Sequence, residues 1–158
     1  MNPDVETYSH TIRTKIDEIM EAIGELSGDD LNRAPMLTGA NSPFVIATHV
    51  LGNIRAWVLG IACGRDLRRD RPAEFVSRGT YAELKTAGAA LSAEIEAALE
   101  AFDASRLDER FVPSQELFGD GTPREVSRRD GLAHVLEHAG IHLGHIHMTV
   151  QMLKERRA

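Results

Sequence analysis

Five of the seven histidines, His134, His138, His142, His145 and His147, crowd into fourteen residues near the C-terminal end of the chain. At about 100° per residue on a helix, His138 and His142 stand one turn apart on one face, His134 and His145 share that stripe, and His147 points the opposite way. Imidazoles at i and i+4 bring two ring nitrogens within reach of one metal ion, and neutral imidazole is a good donor to zinc, nickel, copper or iron(II). His49, in the apolar run Ala47-Thr48-His49-Val50-Leu51, offers a third ligand; a hydrogen-bonded core histidine is the competing reading. Three histidines from two helices leave positions open for water or substrate, which distinguishes a catalytic site from a closed structural one.

These residues need helices to hold them, and the chain's periodicity supplies four. Val5, Ile12, Ile16, Ile19, Ile23 and Leu26 step mostly by three or four, predicting an amphipathic helix from about Asp4 to Leu26 that Gly28, Asp29 and Asp30 stop. Ser42-Pro43 reads as a cap with proline at the first helical position. It opens a nearly all-apolar second helix that carries His49 and runs to Cys63 and Gly64. A third helix is predicted over about Thr80 to Phe102, and a last one over about Ser127 to Arg157. No convincing strand and no repeat are seen, so the expected fold is all-α, a four-helix bundle with long connecting loops.

The connections carry charge. Arg65 to Pro72 holds four arginines against two aspartates and reads as a solvated loop rather than a phosphate site. The stretch from Asp103 to Glu125, with Pro113, Gly119, Gly121 and Pro123, is a long loop of the kind that borders functional sites; its acids Glu109, Glu116 and Asp120 are candidates to cover a metal mouth.

Composition narrows the function class. With 158 residues, 42% of them hydrophobic, the chain suits one globular domain over residues 1–158. Its net charge of −6 argues against nucleic acid or an anionic membrane surface as a partner. A single cysteine, Cys63, rules out an internal disulfide and fits the cytoplasm. Neither an N-terminal signal pattern nor an uncharged apolar run of about 18 residues is seen. Cys63 lies about 21 Å along the helix from His49 and reads as core. Trp57, eight residues past His49, either roofs the site or packs in the bundle.

The pattern Ser42-Pro43, His49 and Trp57, together with Glu137-His138-Ala139-Gly140-Ile141-His142-Leu143-Gly144-His145-Ile146, resembles the DinB/YfiT-like family of metal-binding four-helix bundles, in layout over nearly the whole chain. The resemblance implies one divalent ion, zinc or nickel ahead of iron, held by His49, His138 and His142. His145 stands where the family often has glutamine; it and His134 are candidates for an extra ligand or an outer contact, and Glu137 for orienting a bound imidazole. The resemblance further implies a small-molecule substrate and a homodimer. It points to a metal-dependent enzyme using a low-molecular-weight thiol cosubstrate, such as an S-transferase acting on small electrophiles. A metal-dependent hydrolase and a non-catalytic metal- or ligand-binding bundle are the alternatives.

Overall fold

The computed structural model describes residues 2–155. About 68% of the chain is helical, close to the two-thirds that the periodicity implies. Four long helices form the body. Helix α1 (Pro3–Ile23) is capped by Asn2 and ends at Gly24. Helix α3 (Pro43–Ile54) starts where expected, with the Ser42 hydroxyl accepting from the Val45 N–H. Helix α5 (Tyr81–Glu100) opens with a capping box in which Thr80 and Glu83 satisfy each other's backbone donors. Helix α7 (Arg128–Glu155) carries the histidine stripe; the predicted continuation to Arg157 lies outside the described residues.

Several expectations are corrected. Gly28-Asp29-Asp30 does not stop the first helix, which already ends at Ile23; these residues form a turn of helix α2 (Gly28–Leu31) capped by Ser27. The arginine-rich connection is not a plain solvated loop, since Asp70 caps a short helix α4 (Arg71–Glu74) inside it. The long loop holds a helix α6 (Gln115–Phe118). Within the loop a two-residue strand, β1 (Arg110–Phe111), also pairs antiparallel with β2 (Val126–Ser127) just after it. Pairs this short carry almost no alternation pattern, so periodicity misses them.

Beyond Ile54 the second long helix continues as a π-helical segment, Arg55–Ala62, in which Cys63 N–H donates to the carbonyl of Val58, five residues back. Gly64, at φ +75°, turns the chain out of it. Pro43–Ala62 is long and apolar enough to span a bilayer, a property that a count of uncharged residues overlooks because Arg55 interrupts the run. Its side chains are mostly buried inside the bundle, where the other helices take the place of lipid.

The core runs the length of the bundle, from Val5, Ile12, Ile16 and Ile19 through Ile54, Leu59 and Ile61 to Leu132, Val135 and Ile146. The apolar stripe of α1 packs within the chain, against α5 and α7. Arg128 fastens α7 to the second helix. Its buried guanidinium donates to the carbonyls of Ile61 and Ala62, with 2.8 Å to the latter, and to Glu109 Oε2 at 2.9 Å. A cation on the last carbonyls of a helix also suits its dipole. Glu109 is thereby committed to the bundle's end.

Candidate metal centre

His49 sits two turns into α3, 6% exposed, and faces the histidine stripe of α7. The ring nitrogens of His49, His138 and His142 offer three ligand atoms that all lie within 4.8 Å of one another. His49 Nε2 and His138 Nε2 are 3.1 Å apart, about the separation of two nitrogens bound at 2.0–2.1 Å to one ion. Ring centroids 5.0 Å, 5.1 Å and 4.4 Å apart close the triangle.

The outer contacts of His49 come from Glu74, at the end of the short helix α4, and from Arg69, in the arginine-rich connection before it. Glu74 Oε2 lies 2.8 Å from His49 Nδ1, so that nitrogen donates and Nε2 keeps its lone pair toward α7. Arg69, whose side chain is 5% exposed, donates to both carboxylate oxygens, at 2.7 Å and 2.9 Å. Burial pushes the Glu74 carboxyl up, but the hydrogen bonds from His49 and Arg69 and the charge of Arg69 outweigh it and leave Glu74 below its ordinary value. Gly52 makes room for this carboxylate: a Cβ there would meet Glu74 Oε1 and lie 2.8 Å from its Cδ. Phe75, next in the chain, packs its ring 4.9 Å from that of His49.

Electrostatics favour lone pairs over protons on the stripe. Burial, then the neighbouring His142, His49 and His134 and Arg69, push His138 down to about 3. Burial, then His49 and His145, push His142 down to about 4. Both rings are neutral at pH 7, as metal binding requires, and Nδ1 of each is buried without a partner among the described residues. Three neutral imidazoles converging, one oriented by a carboxylate, fit a divalent ion of the zinc, nickel or iron(II) kind.

The other residues singled out in the sequence separate. His134 stacks on Trp57, centroids 3.8 Å apart, and its Nε2 is 3.4 Å from Asn53 Nδ2. Burial lowers its affinity for a proton. His145 contacts His142 edge-on at 5.3 Å but is itself exposed, as is His147. Glu137 is exposed too; the carboxylate that orients an imidazole of the cluster is Glu74. Cys63 packs at the edge of the core, and burial pushes its thiol up to about 11, which makes it a poor nucleophile. Trp57, 4% exposed, both packs in the bundle and lines the site.

That site is a cavity of about 490 Å³ lined by the three histidines, His134, Asn53, Trp57, Phe75 and Phe118, with Arg69, Arg71, Asp120 and Arg124 among its charged residues. The long loop thus reaches the cavity, with Asp120 at its edge. Glu116 instead accepts from the Arg69 backbone N–H at 2.7 Å. A larger cavity of about 640 Å³, between α3 and α5, holds none of the histidines.

Residues 11–146 match the sequence model of the DinB superfamily. A solved structure of a conserved protein from Enterococcus faecalis is similar in fold, with a TM-score of 0.63, 17% identity, and 95% of this chain and 96% of that one covered. A comparison with curated protein sequences returns no significant match.

Proposed function

The chain belongs to the DinB superfamily, and from that membership we propose a divalent-metal-dependent enzyme that activates a low-molecular-weight thiol for transfer to a small electrophile. The observation that carries the reading is the convergence of His49, His138 and His142 on one point at the wall of an open cavity. A divalent ion at that point supplies Lewis acidity, lowering the pKa of a thiol or water that reaches its free positions.

The protein's own part is positional. Glu74 holds the His49 tautomer, Arg69 holds Glu74, and α7 presents His138 and His142 from the opposite side. Trp57, Phe75 and Phe118 give the cavity apolar walls that keep bulk water from a bound substrate. Cys63 is unsuited to act as the nucleophile itself, which favours a thiol brought from outside. In this reading the enzyme is cytoplasmic and handles small molecules. The exposed Ile141 and Met148, seven residues apart on α7, are the proposed seat of a homodimer, which light scattering checks.

The test is thiol consumption by protein loaded with zinc, nickel or iron(II), using a panel of cellular thiols and 1-chloro-2,4-dinitrobenzene as acceptor. Turnover that disappears on chelation and in His138→Ala supports transfer. Metal-dependent hydrolysis of ester probes without thiol turnover supports the hydrolase reading instead. Tight metal binding with neither activity leaves a binding bundle.

A further inference from the structure

We propose that residues 114–121, the part of the long loop that carries α6, form a lid over the candidate metal centre, latched by Leu117 in a notch at Gly60 and opening as one unit. The segment lies on the bundle without being built into it. None of residues 114–125 is buried, whereas Pro113 just before them and Val126 just after them are, so the two ends are fixed and the stretch between them is not. Within itself the segment is braced. The Ser114 hydroxyl caps α6, and the side-chain amide of Gln115 donates at 3.0 Å to the carbonyls of both Gly119 and Gly121. Both glycines have positive φ, +87° and +77°, which brings the chain back to that amide. Internal bonds of this kind favour movement as a body over unravelling residue by residue.

The lid holds the rest of the molecule through Leu117, Phe118, Glu116 and Asp120. The Leu117 methyls sit against Gly60, where a Cβ would lie 3.0 Å from each. Gly60 is buried inside the π-helical segment, and a glycine within a helix costs stability that this notch accounts for. The Phe118 ring lies 5.3 Å from that of Trp57 and forms part of the cavity wall. Glu116 accepts from the Arg69 N–H, so the lid grips the residue whose guanidinium holds Glu74. Asp120, its side chain 88% exposed, meets Arg71 only at 3.5 Å, an ion pair that contributes little in water. Segments with so few buried contacts open at low free energy, and lids over reactive sites move on the microsecond-to-millisecond scale. When this one lifts, the Phe118 wall leaves the cavity and the indole of Trp57, otherwise 4% exposed, meets solvent. The functional reading above concerns what passes beneath the lid; the motion itself does not depend on it.

Trp57 is the only tryptophan, so its indole N–H and its fluorescence both report on the lid. The experiment is nitrogen-15 relaxation dispersion on the metal-free full chain. The expected result is one exchange rate, in the microsecond-to-millisecond range, shared by the amides of Leu117, Phe118 and Gly119 and by the Trp57 indole, while the amides of residues 46–51 stay quiet. Leu117→Ala removes the latch. In that variant the open population read by dispersion and the acrylamide quenching of Trp57 both rise, by about threefold or more, with circular dichroism unchanged. Absence of exchange at these groups, different rates for α6 and the indole, or a Leu117→Ala variant that behaves as the wild type overturns the proposal. Failure of the metal reading shows separately, as absence of metal by elemental analysis, and the metal-free measurements still decide the question of the lid.

Discussion

His49 Nδ1 and Glu74 Oε2 are 2.8 Å apart, and this contact joins a core helix to a connection 25 residues further along the chain. It orients the imidazole and raises its basicity as a ligand. Replacing Glu74 with glutamine keeps the shape and removes the charge. Metal affinity, measured by competition with a chromogenic chelator, is expected to fall about 10–100-fold with helical content unchanged.

Alanine at His49, His138 or His142 removes one of three ligands each, and metal content of protein purified without a nickel column is expected to drop steeply in every case. His147→Ala, on the exposed side of α7, serves as the control with full occupancy. Full occupancy in His49→Ala would remove α3 from the centre.

Gly52→Ala tests the same carboxylate from behind. The new Cβ meets Glu74, which must swing away from His49, so metal affinity falls by a factor similar to that of Glu74→Gln. Because both changes break one contact, the double variant is expected to lose little more than either single one. Additive losses in the same chelator competition would mean that Gly52 acts on something else.

In metal-free protein the stripe makes stability depend on pH. The folded chain holds His138 at about 3 and His142 at about 4, against an ordinary 6.5, so between those limits the unfolded chain takes up protons that the folded chain refuses. Stability is therefore full above about pH 6.5 and falls as pH drops toward 4. Urea unfolding from pH 7.5 to 4.5 is expected to show this slope, and His138→Gln combined with His142→Gln to flatten it. A chelator added to loaded protein at pH 7.5 lowers the melting temperature, since an ion bound only by the folded chain stabilises it.

The three histidines that could hold a metal ion were legible because two of them obey the local i, i+4 rule and the third is a polar residue in an apolar run. Glu74 and Arg69 were not. Arg69 lies in a stretch whose charge density reads as solvated and Glu74 just past it, and their pairing with His49 is a tertiary contact without a local period. The one available signal was Asp70-Arg71-Pro72, a cap and a first-turn proline, which announces the short helix that carries Glu74. Arg128 escaped for a related reason: its partners are backbone carbonyls at the end of another helix, and a carbonyl has no signature in sequence. The bundle itself was readable from four long apolar patterns. Its two-residue strands and its π-helical stretch were not, because neither changes the pattern of residue types enough to register.

That π-helical stretch bears on how the cavity can change through descent. Eight residues of ordinary α-helix make about 2.2 turns and would leave Trp57 roughly 80° off the face of His49, whereas a turn holding more residues brings the same eight nearer to two whole turns. Such a segment is equivalent to one inserted codon. Deleting one residue ahead of Trp57 and rewinding the segment as ordinary α-helix leaves seven residues, about 1.9 turns, between His49 and Trp57, so the tryptophan stays near the face of His49. The wide turn thus lets this helix gain or lose one residue while the wall it presents stays beside the three histidines.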